Sequence, residues 1–175
     1  EVIAFVKKHR PRIPVAVLTN GTLFHLPGVR KELMQADLVL PSLDAATQEA
    51  FEKVNRPVGR FSVDQYLEGL MDFSAEFPGE IWMEVLILPG YNDDKANLMA
   101  IKDILEKMNP DRIQLNTLDR PGTIRGLRAA DRNELKRIAN DWGMKQIEII
   151  APPQERKKKT SYRSDMESVI LETLS

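Results

Sequence analysis

The chain has 175 residues, 42% hydrophobic and 29% charged, with a formal net charge of -1. That is enough to bury a core as one domain or part of a larger one, and it gives no global attraction to nucleic acid or an anionic membrane. There is no cysteine, so thiolate metal ligation within this chain is excluded; no apolar run approaches the ~18 residues that span a bilayer and no secretory signal opens the chain, which makes the cytoplasm the expected location.

In chain order, Val2, Ile3, Phe5 and Val6 have the spacing of an amphipathic helix that runs to His9 and stops before Pro11. The abrupt start reads as a cut through a longer protein. A β-branched run over 15–19 predicts a strand closed by the turn dipeptide Asn20-Gly21, and a short helix over 29–35 follows Pro27-Gly28. The run LVLPSLD over 38–44 predicts the second strand. Helical patterns follow over 46–54, broken by Pro57, and over 63–77, with Val63, Tyr66, Leu67, Leu70, Met71 and Phe73 inward. Residues 81–88 predict the third and most apolar strand, which runs into Pro89-Gly90-Tyr91-Asn92-Asp93. A helix over 95–108 buries Leu98, Ile101, Ile104, Leu105 and Met108, and Pro110 closes it. The fourth strand covers 112–118 and leads to a loop with Arg120-Pro121-Gly122-Thr123. Asp131 is the expected N-cap of a helix that turns Leu135, Ile138 and Ala139 inward up to Gly143. The fifth strand covers 146–150, before Pro152-Pro153, a basic stretch over 156–163 and a last helix from Asp165.

Five strands alternating with helices at short connections predict parallel neighbours and right-handed crossovers. The expected class is α/β, a partial (β/α) barrel of about five parallel strands with flanking helices, with an open doubly wound sheet as the alternative. The barrel is expected over 1–153, followed over 154–175 by a basic linker and a terminal helix. No GxGxxG or GxxxxGK[ST] occurs, which removes the commonest dinucleotide and phosphate-loop readings.

Buried parallel strands should be almost uniformly apolar, yet Ser42, Asp44, Glu84, Gln114, Asn116 and Glu148 interrupt them at alternate positions. Residues i and i+2 of a strand share a face, so Ser42 and Asp44 point the same way at the end of the second strand. In β-α sheets that end carries the ligand crevice. An unpaired carboxylate in a dry core costs roughly several kcal/mol. A polar, partly hollow lumen is therefore expected. The alternative turns some of these groups toward the helices as caps or ion pairs, with Asp44 capping a helix that starts at 45 or 46.

Four motifs, VLTNGT, PSLDA with FEKVNRP, MEVLILPGYND and PDRIQLNTLDRPG, follow one another on these elements. Together they resemble the later part of the radical S-adenosylmethionine (radical SAM) superfamily, and within it iron-sulfur oxidoreductases related to wyosine-forming tRNA-modifying enzymes. The resemblance covers about residues 1 to 153. It implies a TIM-barrel-like fold and two cofactors in the full-length protein, S-adenosyl-L-methionine and a [4Fe-4S] cluster. Electrons would come from a donor such as ferredoxin or flavodoxin. The reaction implied is reductive cleavage of the sulfonium, giving methionine and a 5′-deoxyadenosyl radical that abstracts hydrogen from a substrate, as in RNA modification or enzyme activation. The family's CxxxCxxC motif has no counterpart here, so the chain alone is expected to be inactive.

By the same resemblance Ser42 and Asp44 match the position that contacts the ribose or methionyl end of the cofactor. Ile87, Leu88 and Gly90 match the adenine segment, where the family's glutamate is replaced by Asp93. Asn116 and Leu118 match a segment that lies beside the adenine, and Thr19 and Asn20 match a TNG whose asparagine should face the lumen. Glu84, Gln114, Glu148 and Arg56 are candidate substrate contacts. His9 and His25 lack metal-ligand spacing, and Trp82 and Trp142 read as packing residues. Arg156, Lys157, Lys158, Lys159 and Arg163 form either a solvated linker or an RNA-binding arm. Two other classes stay open: a non-radical β/α-barrel lyase or isomerase using Glu84 as base, and a non-catalytic binding module.

Overall fold

The computed structural model of the chain describes residues 1–59, 61–119 and 126–150. Its elements are α1 (Val2–His9), β1 (Ala16–Thr19), α2 (Pro27–Leu33), β2 (Leu38–Pro41), α3 (Gln48–Val54), α4 (Val63–Glu76), β3 (Glu80–Leu86), α5 (Lys95–Met108), β4 (Arg112–Asn116), α6 (Arg132–Trp142) and β5 (Ile147–Ile150). All four strand pairings are parallel. The sheet order is β1-β2-β3-β4-β5. A doubly wound sheet reverses its strand order at a switch point; an order that never reverses is that of a partial barrel, with its helices on one side.

The pleat divides the strands between two environments. Val39, Ile81, Met83, Val85, Ile113 and Leu115 are buried and form one core with Leu70, Phe73, Ile101, Leu105, Leu135 and Ile138 of the helices. Each such side chain contributes roughly 1.5–3 kcal/mol by leaving water. The alternate residues of the same strands face away from the helices. Where α4 crosses the loop after β1 the backbones nearly touch: a Cβ on Gly69 would lie 2.5 Å from the His25 nitrogen, so glycine is required there. Arg30, buried on α2, donates to both carboxylate oxygens of Glu76 on α4 at 2.9 Å and to the Phe24 carbonyl at 2.7 Å, which fixes the same loop.

Helix caps follow the sequence closely. Asp131 accepts from the N–H groups of Asn133 and Glu134, and Glu134 answers as the second half of a capping box. The strands expected to end at 44, 88 and 118 end at Pro41, Leu86 and Asn116, and two helix starts also differ from expectation. α2 starts at Pro27 because proline is tolerated in a first helical turn. α3 starts at Gln48 because Thr47, not Asp44, caps it, accepting from the Ala50 N–H. The basic stretch and the helix expected from Asp165 lie outside the described residues, as do Arg120 to Thr123.

Two fully buried amides join the carboxyl ends of β2 and β3. Asn92 Nδ2 donates to the carbonyls of Asp44 (2.8 Å) and Leu86 (2.6 Å), and its Oδ1 accepts from the Leu88 N–H (2.7 Å). Asn97 Nδ2 donates to the Asn92 carbonyl at 2.8 Å, while its Oδ1 accepts from the N–H groups of Ala46 (2.8 Å) and Thr47 (3.2 Å). Each buried backbone group left without a partner costs roughly 1–3 kcal/mol. Asn92→Ala strands three of them, so a stability loss of about 3 kcal/mol or more is expected in urea unfolding. A loss under about 1 kcal/mol would show that these groups find other partners.

Candidate functional site

The registers build the site across three strands. Glu84 lies beside Gln114, Leu86 beside Asn116, and Gln114 beside Glu148. A bridge joins Ser42 to Glu84, and the Leu43 N–H donates to the Glu84 carbonyl at 2.8 Å. Leu43 itself is wholly buried in the helix-side core. Ser42, Asp44, Glu84, Gln114, Asn116 and Glu148 therefore share the face turned away from the helices. On that face Leu18 is 71% and Ile150 45% exposed.

Asp44 is the most perturbed acid of the group. It is half-buried, and its Oδ1 accepts from the Leu86 N–H at 2.9 Å. Burial pushes its carboxyl up to about 6; the Leu86 N–H pulls it back in part, and the Glu84 charge adds to the rise. Oδ2 has no hydrogen-bond partner among the described residues. The Ser42 carbonyl accepts from the buried Tyr66 hydroxyl, whose ionisation burial also opposes. The Ser42 hydroxyl, like the Gln114 amide, finds no partner among the described residues. Asn116 Nδ2 donates to Glu84 Oε1 at 3.2 Å, which leaves the side-chain Oδ1 of Asn116 without a partner among the described residues. The result is a cluster of acceptors and donors without protein partners among the described residues, open to solvent at the carboxyl ends of adjacent strands and suited to a ligand rich in hydroxyl and amine groups.

The remaining sequence-derived residues divide. Asn20 is exposed on the open side and uses its Oδ1 to hold Thr22. Thr19 alternates with it onto the helix-covered face, beside Pro41, and accepts from the Gly21 N–H at 3.1 Å. Ile87, expected as an apolar wall, packs in the helix-side core instead, because odd-numbered positions of this strand face the helices. Leu88 is buried but outside that core, and Leu118 is half-buried. Gly90, at φ +83°, donates to Asp93 Oδ1 at 2.7 Å, so Asp93 closes its own turn. Glu148 is exposed and pairs with Arg112 at 2.7 Å, and the Arg112 guanidinium lies 4.4 Å over the Trp82 ring. Arg56 lies away from the crevice, at the end of α3. Among the described residues no group of three or more His, Cys, Asp or Glu is placed to hold a metal ion.

Sequence reasoning missed Asn92 and Asn97, and it placed Tyr66 inward without its bond to the Ser42 carbonyl. Asn97 carried a usable signal, since it shares a helix face with Ile101 and Leu105 at four-residue spacing, and an amide on an inward face must find partners.

No family model matches the chain. It is 34% identical over 163 residues to a GTPase Obg of Brachyspira hyodysenteriae, a match that covers 93% of this chain and 24% of that protein. It is 36% identical over 136 residues to a UPF0026 protein of Helicobacter pylori, covering 78% of this chain and 44% of that one. The chain thus spans less than half the length of either relative. It has no GxxxxGK[ST] with which to hold a nucleoside triphosphate. Among solved structures, a domain of a pyruvate-formate lyase-activating enzyme from Bacteroides vulgatus superposes with a TM-score of 0.66 at 17% identity, covering 85% of this chain and 88% of that one. A radical SAM methyltransferase from Sphaerobacter thermophilus gives 0.60 at 17% identity over 78% of this chain and 40% of its own. Streptococcus suis SuiB bound to S-adenosylmethionine gives 0.60 at 10% identity over 87% and 35%. The five-stranded half-barrel is therefore a fold shared with solved radical SAM proteins.

The raised Asp44 carboxyl has a stability consequence. A group that binds its proton more tightly when folded contributes stability below its unfolded value, near 3.8, and that contribution is lost as pH rises through about 6. Asp44→Asn keeps the acceptor for Leu86 without the charge. It is expected to stabilise the chain by about 1–3 kcal/mol at pH 8 and by almost nothing at pH 4. Equal effects at both pH values, measured by thermal or urea unfolding, would contradict the assignment.

Proposed function

We propose that this chain is the nucleoside-holding portion of a radical SAM enzyme and that the polar crevice receives S-adenosylmethionine. The observation that carries the reading is the convergence of Ser42, Asp44, Gln114 and Asn116 on the open sheet face with unsatisfied polar atoms. The fold shared with radical SAM proteins supports it.

The donor set suits the nucleoside. Ionised Asp44 accepts from vicinal ribose hydroxyls, and Ser42 donates or accepts beside it. Glu84 is a positioning residue: by accepting from Asn116 Nδ2 it turns Asn116 Oδ1 outward, where an exocyclic amine can donate to it. Leu88 and Leu118 supply apolar surface for a planar base. When bound, S-adenosylmethionine supplies a sulfonium that radical SAM chemistry cleaves with one electron. Ser42, Asp44, Glu84 and Asn116 hold and orient the nucleoside. A [4Fe-4S] cluster does not fit this chain, which has no cysteine. In the whole protein the reading entails a one-electron donor and a substrate that approaches Glu84 and Gln114. RNA modification and enzyme activation both remain within it. The basic residues from Arg156 to Arg163 that would favour RNA lie outside the described residues.

Equilibrium binding of S-adenosylhomocysteine to the full-length protein tests the proposal. Asp44→Ala is expected to weaken binding by about 10- to 100-fold, the range for a lost hydrogen bond to a charged group. Glu148→Ala, whose partner is Arg112, is expected to leave affinity within about twofold. Folded Asp44→Ala protein with unchanged affinity would overturn the reading.

A further inference from the structure

Helix α4 reaches the crevice through Tyr66, near its start. This side chain is 1% exposed and sends its hydroxyl to the Ser42 carbonyl, just past the end of β2. Packing holds the ring in place. The Phe51 ring lies 5.3 Å away, and the backbone of Gly21 runs so close that a Cβ there would stand 3.6 Å from Tyr66 Cε2. The loop that carries Asn20 and the turn that carries Ser42 and Asp44 therefore rest on the same residue.

Packing alone is served by phenylalanine at this position. The hydroxyl adds a polar group to a dry core, a cost that its bond to Ser42 offsets. Burial first, and then the Asp44 charge, push the phenol well above its usual range, so it stays protonated and donates. What the bond fixes is one peptide group. The carbonyl of the Ser42–Leu43 peptide accepts from Tyr66, and its N–H, that of Leu43, donates to the Glu84 carbonyl at 2.8 Å. A planar peptide held at both ends cannot rotate. Ser42 is secured on its other side by its own N–H, which donates to the Thr19 carbonyl at 3.2 Å. Freedom at the Ser42–Leu43 peptide is therefore passed forward, to Asp44.

We infer that Tyr66 is a positioning residue of the crevice: from the helix side it holds the Ser42–Leu43 peptide and so sets the direction in which the Asp44 carboxylate points. Its effect on ligand affinity rests on the nucleoside reading of the crevice. Its effect on Asp44 does not, because the Leu86 N–H that donates to Asp44 Oδ1 at 2.9 Å reports the carboxylate's placement without any ligand. Tyr66 touches no ligand in this account and acts only through Asp44.

Tyr66→Phe keeps the ring and removes the hydroxyl, so the variant is expected to stay folded. Amide exchange in the full-length protein, followed by NMR, gives the first readout. The Leu86 N–H should exchange about fivefold faster in Tyr66→Phe, measured relative to the Ile113 N–H, which donates to the Gln146 carbonyl at 3.0 Å and reports opening of the sheet as a whole. A double-mutant cycle on S-adenosylhomocysteine affinity gives the second. Tyr66→Phe should weaken binding about 3- to 10-fold, part of the loss expected for Asp44→Ala. The double variant should bind within about twofold of Asp44→Ala alone, because the effect passes through that carboxylate. The inference is overturned by an unchanged Leu86-to-Ile113 exchange ratio, by wild-type affinity in Tyr66→Phe, or by losses that multiply in the double variant. Wild-type protein that does not bind S-adenosylhomocysteine would end the nucleoside reading instead, and the exchange ratio would then decide the role of Tyr66.

Discussion

The paired amides of Asn92 and Asn97 are the constraint on which the rest of the site depends. A parallel sheet ends in carbonyls and N–H groups that the ladder no longer pairs, and a crevice opens where they would otherwise meet water or a ligand. Asn92 pairs with the backbones of Asp44, Leu86 and Leu88, and Asn97 holds Asn92 and the turn before α3. With the two strand ends held together, the Leu86 N–H reaches Asp44 Oδ1 and the Asp44 carboxyl is held over the open face. Everything assigned to Asp44 follows from that placement.

The pleat then sorts chemistry from packing. One set of alternate positions carries isoleucine, valine, leucine and methionine into the core against the helices. The other carries serine, acids and amides to a face on which a helix would leave them unpaired. Conflict between local burial and polar content is costly in solid core and tolerable where a ligand completes the partners. Asp44, raised in pKa by its own surroundings, is a place where the fold carries such a local cost. Such costs persist where the surrounding structure enforces them, and they gather at binding sites.

Much of this was legible in the residues. The order of strands and helices, the caps at Asp131 and Gly143, and the two-residue alternation of Ser42-Asp44 and Gln114-Asn116 come from local rules that neighbours do not override. Thr19 and Ile87, matched to cofactor segments, turn to the helix side, because a motif says which residues are near a ligand but not which way the pleat turns each one. Asp44 was open between helix cap and ligand contact, and its acceptance from Leu86 belongs to a neighbouring strand that no local pattern reveals. Asn92 was given no role because its partners, Asp44 and Leu86, are brought to it only by the sheet.

Backbone hydrogen–deuterium exchange of the full-length protein, with and without saturating S-adenosylhomocysteine, reads the crevice most directly. Slower exchange is expected in three separate segments, 42–47, 84–92 and 114–118, with the outer turns of α4 and α5 unchanged. Protection confined to the helices, or none in those three segments despite measured binding, would contradict a crevice on the open face of the sheet.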